Sequence, residues 1–511
     1  MKKYDVIVVG GGNGGLAAGA VLAKGGKNVL LIEKSHSPGG FATSFRRGRF
    51  EFDVSLHELN GFGRGKEALG GVRVLFDTIG ISDKINWVDI PEAYRLISSD
   101  ENGKIDAVMP FGIENYINKM EEYAPGSRKA AEYIFSCGQQ NLRVLAQMSK
   151  CKNVFDQIKL LAANRDFLHN SSKSVNEVLS LLDMPQRARN IFKAYWAYLC
   201  ADCDNLSFFH YLQMVNTYIE LGSVIPFMRS LEMTNAMAEV ISSNNGDILV
   251  NETVTEIVVE NGAVKGVKTA GGKEFSADVV VCNASPHSAF SKLIKKEHIP
   301  EGDLKRCNFR TFSGSGFCVW LGLNKSAKEL GLDNYSYFIF PDADDVKQFK
   351  LMGHPDTNRV QNTICPNAAF EGASPEGTSI LSMTTLFNSF WWDNVPEEDY
   401  FRVKNEFASS MIDTFEKATG IKIREHIEEI EIASPETFAR FTLNPHGTIY
   451  GYLGKKNDGV LARTLSENKR MSGIKGLYFA GGYGTKMNGY SSAMSTGFDA
   501  ARHILRTGGK D

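Results

Sequence analysis

The chain has 511 residues, more than one hydrophobic core accommodates, and suggests two or three domains. Its 57 Lys and Arg against 59 Asp and Glu leave a net charge of -2, which gives no electrostatic case for nucleic-acid binding. It contains no run of about eighteen apolar residues, so no transmembrane helix is expected; it enters a strand by Tyr4, which leaves no room for a signal peptide, and a cytoplasmic protein is the default expectation.

In chain order, Val6 to Val9 is a short β-branched run that reads as a buried parallel strand, and Gly10, Gly12 and Gly15 follow it in the spacing G-x-G-x-x-G. The first glycine permits a tight strand-to-helix turn, the second lets a pyrophosphate approach the backbone, and the third lets the next helix pack close to the sheet. Phosphate charge then lies on the helix N-terminus. Small and apolar residues from Leu16 to Lys24 suit a helix pressed on a sheet, and Val29 to Ile32 is a second buried strand that ends at Glu33, 18 residues beyond Gly15. A carboxylate there accepts both ribose hydroxyls of an adenosine and repels a 2'-phosphate. The opening is therefore expected to bind FAD or NAD, not NADP, through Gly10, Gly12, Asn13, Gly14, Gly15, Glu33 and Lys34.

The next stretch, "SPGGFATSFRRGRFEFDVSLHELNGFG", brings a second glycine pair, Gly39 and Gly40, six residues after Glu33. With the pair in that place the chain resembles the phytoene desaturase superfamily, which includes carotenoid cis-trans isomerases and retinol saturases, and more distantly the flavin amine oxidases. Desaturases usually carry P-G-G-R and then F-D-x-G; here Phe41 replaces the arginine and Ser55 the glycine. The departure moves the resemblance toward the isomerase and saturase side. It implies an α/β fold: a glutathione-reductase-type, Rossmann-like FAD-binding domain with a discontinuous mixed-sheet and helical substrate domain. FAD is the implied cofactor, with Gly39, Gly40 and Phe41 on its flavin side. His57 in "SLHEL" lies on the segment expected to pass the isoalloxazine, and retinol saturases resemble this chain in having a histidine there. It is the first candidate for a general acid or hydrogen-bond donor. Glu58, on a continuing strand, would point to the opposite face.

From about 111 to 221 apolar residues fall at helical spacing, with Ser174 and Glu177 forming a helix-start signature. Phe192, Tyr195, Trp196, Tyr198, Phe208, Phe209 and Tyr211 make this insert aromatic, for a core or for a pocket that takes a long apolar substrate. The eight cysteines are scattered and fit reduced thiols. Cys200 and Cys203, the one close pair, have no second pair nearby, and no metal site is expected.

Strand alternation returns at 247–283, with hairpin-like turns at Asn261-Gly262 and Gly271-Gly272. The "ADVVVCNA" ending at Ala284 resembles the same superfamily, which implies that the β-meander completes the cofactor domain and that the backbone at Val254 meets the adenine. "FSGSGFCVWLGLN" from Phe312 lacks a third glycine and reads as a strand of the substrate domain, so no dedicated NAD domain is visible. NADH, NADPH or another electron donor stays open. Short strands and the helix in "EDYFRVKNEFASSMIDTFEKA" then suggest a mixed sheet backed by helices.

The last segment, "GLYFAGGYGTKMNGYSSAMSTGFDAARHIL", is a buried strand, a glycine turn and a helix of small residues. Its start, aimed at a flavin, would stabilise negative charge on the reduced ring. Expected contacts are Gly481, Gly482, Asn488, Gly489, Tyr490 and Ser491, with Tyr490 a second catalytic candidate and His446 and Lys486 of lower rank. The resulting division is 1–110, 222–295 and 455–511 for the FAD-binding domain, 111–221 for a helical cap, and 296–454 for the mixed-sheet substrate domain.

The function expected is FAD-dependent oxidation, reduction or isomerisation at carbon-carbon bonds of a lipophilic, polyene- or isoprenoid-like substrate, with peripheral membrane contact left open. Two alternatives are a flavin amine oxidase acting on a C-N bond and a non-enzymatic flavin-binding protein. Oligomeric state is not legible.

Overall fold

The computed structural model describes residues 2–63, 70–148, 151, 153–455, 472–484 and 489–509. Its nucleus is a five-stranded parallel sheet in the order Asp247–Leu249, Val29–Ile32, Val6–Val9, Val280–Cys282, Leu477–Phe479. Val6–Val9 and Val29–Ile32 are buried at every residue. Parallel strands covered on both faces read as continuous apolar runs for this reason. Val6 and Val8 face a helical layer built from Asn13–Lys24, Ser230–Ser243 and Gly489–Thr507. Ile7 and Val9 face the β-meander Val254–Glu260, Ala263–Thr269 and Glu274–Ser276, whose turns fall at Asn261-Gly262 and Gly271-Gly272 as expected.

A second, seven-stranded sheet runs Ile427–Ala433, Ser315–Leu323, Ser379–Phe387, Gln361–Ile364, Ser336–Ile339, Tyr94–Asp100, Gly103–Met109. The glycine-bearing stretch after Phe312 is its nine-residue buried strand, paired on both sides. The hairpin 94–109, expected inside the first FAD-domain segment, instead extends this sheet through a parallel pairing with Ser336–Ile339. The helix Glu397–Thr419 backs one face, burying Phe407, Met411, Ile412 and Phe415. Between 111 and 221 the chain is a stack of helices from Ile113–Tyr123 to Phe208–Leu221. Ser174 and Glu177 form a reciprocal cap: Glu177 N donates to Ser174 Oγ at 3.2 Å, and Ser174 N donates to Glu177 Oε2 at 2.6 Å. The two sheets and the helical stack meet around one large cavity.

Candidate active site

The cavity, about 1090 Å³, runs from the carboxyl ends of the parallel strands to the inner face of the helical stack. That end of a parallel sheet is where open α/β folds bind ligands. Gly10, at φ +92°, turns the chain from strand to helix, and the helix Asn13–Lys24 begins at Gly12 with no side-chain cap. Of its first amides Gly15 N donates to Asn283 Oδ1 at 3.1 Å; the rest of the helix start carries the positive end of the dipole, which favours an anion. A Cβ on Gly14 would lie 2.3 Å from Gly481 N and 2.8 Å from Asn283 Oδ1, so the loop closes on the C-terminal strand only because nothing larger stands there. Gly40 packs the second glycine pair against the first, its own Cβ position 3.1 Å from Gly12 Cα.

Glu33 is buried on the cavity wall, with Gly11 N donating to its Oε2 at 2.7 Å and Ser35 N to its Oε1 at 2.8 Å. Each carboxylate oxygen has a lone pair left for a ribose hydroxyl. Asn13 Oδ1 is buried and has no hydrogen-bond partner among the described residues. A buried orphan acceptor, a helix start and a loop stripped of side chains fit the pyrophosphate and ribose of FAD. Val254, Lys34, Phe41, Gly482, Gly489, Tyr490 and Ser491 also line the cavity. Lys34 Nζ, however, donates to Phe441 O at 2.5 Å, which commits the ammonium to a backbone carbonyl.

Two expected contacts stand behind the wall. Gly15 lets the helix pack, since its Cβ would lie 2.1 Å from Gly10 O, and Gly39 braces the loop through its amide on Gly11 O at 2.7 Å. Asn488 and Lys486 lie outside the described residues. His446 is away from the wall, paired with Asp393 at 2.5 Å and stacked on Phe390. Asn283 was not singled out from the sequence. Its Oδ1 accepts from Gly15 N at 3.1 Å, and its side chain stands between the glycine loop and Gly481. The available signal was a polar residue directly after a buried strand, Val280–Cys282, at the ligand-binding edge of the sheet.

At the far end the strand Phe50–Asp53 stops, and the chain from Val54 to Glu58 is irregular. His57 and Glu58 therefore both line the cavity, which corrects the expectation that they face opposite ways. His57 Nε2 lies 3.0 Å from Thr384 Oγ1 and Nδ1 3.4 Å from the Tyr198 hydroxyl; Tyr198 also donates to Glu58 Oε1 at 3.1 Å. Burial lowers the His57 imidazole to about 4 and raises the Glu58 carboxyl to about 8. Burial thus disfavours the charged form of both side chains. Tyr490 donates to Phe41 O at 2.5 Å and meets Ser55 Oγ at 3.2 Å, a tie between the C-terminal helix and the glycine-pair segment. Burial holds its phenol well above the ordinary range. Of the seven aromatics noted in the helical insert, Tyr198 and Phe209 line the cavity; Phe192, Tyr195, Trp196, Phe208 and Tyr211 are core. Leu145, Leu199, Met214 and Tyr218 complete an apolar arm beside them.

A dinucleotide cradle on a parallel sheet, opening into an apolar chamber with buried acid-base groups, defines a flavin-dependent oxidoreductase. Residues 14–505 match the model of the flavin containing amine oxidoreductase family, and the chain belongs to it. All-trans-retinol 13,14-reductase of Danio rerio is 24% identical over 510 residues, spanning 92% of this chain and 82% of that protein. The chloroplastic prolycopene isomerase 2 of an Oncidium hybrid cultivar is 24% identical over 502 residues, spanning 94% and 80%. The crystal structure of an oxidoreductase from Methanosarcina mazei superposes with a TM-score of 0.65 at 16% identity, covering 98% of this chain and all of that one.

Proposed function

We propose that this protein is an FAD-dependent oxidoreductase that adds hydrogen across a carbon-carbon double bond of a lipophilic, polyene- or isoprenoid-like substrate. The observation that carries the reading is the single cavity that joins the dinucleotide cradle to an apolar arm ending at His57, Glu58 and Tyr198. Named relatives that act on retinol and prolycopene support the substrate class. Bound flavin supplies hydride chemistry, and the chain supplies the rest. Leu145, Leu199, Phe209 and Met214 hold an apolar chain and exclude water from the reacting bond. The glycine loop and Glu33 hold the dinucleotide, and Tyr198, which lines the chamber, supplies a proton to it.

Peripheral contact with a lipid surface belongs to the same reading, because such a substrate partitions into membranes. Its support is the helix Val154–Ala163, where Phe155 is 84% and Ile158 57% exposed, packed against the helix Arg128–Met148 that carries Leu145. No helix among the described residues is long and apolar enough to cross a membrane.

The test is an anaerobic visible spectrum before and after NADH, NADPH or dithionite, followed by a panel of polyenes and unsaturated lipids. Bleached flavin bands that recover only with an alkene support the proposal and identify the substrate class. Geometry change in the alkene with the flavin still bleached would replace it with an isomerase. Recovery with amines and release of peroxide in air would replace it with an amine oxidase.

A further inference from the structure

We propose that Glu58 is the proton reservoir of the site, a buried carboxylic acid that supplies, through the Tyr198 hydroxyl, the proton that accompanies hydride addition to the substrate. The delivery step rests on the reaction proposed above; the protonation state of Glu58 does not.

Glu58 is 8% exposed. One carboxyl oxygen accepts the Tyr198 hydroxyl at 3.1 Å, and the other has no partner among the described residues. The groups facing it come from every surrounding element. His57 is its neighbour in the chain; Tyr195 and Tyr198 come from the helical stack, Tyr218 from the helix Phe208–Leu221, Tyr335 and Glu92 from the seven-stranded sheet side, and Tyr450 from the segment beside Gly451. Burial raises all five phenols, so none is charged near neutrality. Glu92 is a second acid, and two backbone amides, of Tyr335 and Ser336, already occupy its Oε1. No lysine or arginine pairs with Glu58 among the described residues. A carboxylate in such surroundings takes up a proton instead of keeping its charge.

Tyr198 makes that proton useful. Its hydroxyl lies between Glu58 Oε1 and His57 Nδ1, at 3.1 and 3.4 Å, and the residue lines the apolar arm. In the step, the alkene π bond breaks and one carbon takes up the hydride that bound two-electron-reduced flavin would supply. The protonated carboxyl becomes the donor across the 3.1 Å contact and frees the Tyr198 hydrogen, which forms the C-H bond at the other carbon while the Glu58 proton moves to the vacated phenol oxygen. The products are the saturated bond, oxidised flavin, neutral Tyr198 and the Glu58 carboxylate, which then recovers a proton from solvent. His57, on the other side of the hydroxyl, orients it. Tyr198 is the group that touches substrate; Glu58 acts through it.

The test uses the flavin-loaded full chain and Glu58→Gln, which keeps the amide oxygen that Tyr198 bonds but has no acidic proton. Infrared spectra at neutral pH are expected to contain a protonated-carboxyl C=O band, shifted in D2O, that Glu58→Gln removes. Reoxidation of the reduced flavin by an alkene is expected to slow as pH rises through about 8 in the wild type. In Glu58→Gln it should be slower by roughly 10²-fold and lose that pH dependence. Glu58→Asp should restore the pH-dependent limb. An unchanged flavin spectrum establishes that each variant is folded. Absence of the carboxyl band, or a Glu58→Gln enzyme with wild-type rate and pH profile, overturns the proposal. A band present in a protein that reduces no alkene overturns the delivery step and the functional reading together, while leaving the neutral acid in place.

Discussion

At the residue scale, His57 and Glu58 are neighbours that respond to pH in opposite directions. His57 is held at about 4, so its contribution to stability is present above the ordinary 6.5 and is lost as pH falls through about 4. Glu58 is held at about 8, so its contribution is present below the ordinary 4.5 and is lost as pH rises through about 8. Between pH 6.5 and 8 Glu58 acts without His57. Denaturant midpoints across that window are expected to fall more steeply in the wild type than in Glu58→Gln; parallel curves would mean that the folded carboxyl is ionised. Gln213 offers a different probe. Its Nε2 is buried on the apolar wall and has no partner among the described residues. An unmet donor there costs about 1–3 kcal/mol, and a hydrogen bond from it contributes about 0.5–1.5 kcal/mol net. Gln213→Leu is therefore expected to stabilise the substrate-free protein by about 1 kcal/mol while raising KM roughly 2- to 10-fold for an alkene that carries an oxygen. Equal KM changes for that alkene and its hydrocarbon analogue would assign Gln213 no part in recognising oxygen. Individual residues of this chamber were the least legible part of the sequence. His57 stood out through its motif, but Glu58 acquires its chemistry from Tyr198, 140 positions away, and from burial that no local pattern encodes.

At the element scale, local signals carried further. The run Val6–Val9 with its glycine loop, the Ser174 and Glu177 cap and the turn at Asn261-Gly262 each depend on neighbours within a few residues, and each forms as the sequence indicates. The end of the strand at Asp53 did not show. Asp53 Oδ1 accepts from Ser230 N at 2.8 Å and Asp53 O from Trp320 Nε1 at 2.8 Å, so two distant elements draw the chain out of its ladder and bring His57 and Glu58 to one side. The division of the aromatics between core and cavity was equally closed to periodicity, because both uses place rings at helical spacing. For the helix Val154–Ala163, the exposed Phe155 and Ile158 define an element-level prediction. Phe155→Asp with Ile158→Asp is expected to reduce co-sedimentation with lipid vesicles by at least several-fold and to leave turnover of a detergent-solubilised alkene unchanged. Undiminished vesicle binding would remove this helix from the membrane reading.

At the scale of the whole molecule, the cofactor cradle is made from both ends of the chain. Val6–Val9 and its glycine loop come from the start, Asn283 from the middle, and Gly481 with the helix Gly489–Thr507 from the end. The resemblance carried this discontinuity in outline, but no single segment specifies how closely the ends approach. Gly497 measures it: a Cβ there would lie 2.1 Å from Gly14 O, so the C-terminal helix reaches the helix Asn13–Lys24 backbone to backbone. Gly497 has ordinary helical φ, and alanine is the better helix former by about 1 kcal/mol. Local propensity thus predicts that Gly497→Ala stabilises; contact with Gly14 predicts that it pushes the two helices apart at the phosphate site. The contact is expected to win, because the neighbouring atom is backbone and cannot rotate away. Gly497→Ala should lower the thermal midpoint and weaken FAD, and excess FAD should restore part of the loss. FAD at 100 times its dissociation constant stabilises the folded state by about 2.7 kcal/mol, an effect that shrinks as the variant's dissociation constant rises. Parallel melting curves with and without FAD for the wild type and Gly497→Ala decide the matter: a variant that melts higher and binds FAD as tightly would mean that the two ends of the chain do not share the cradle.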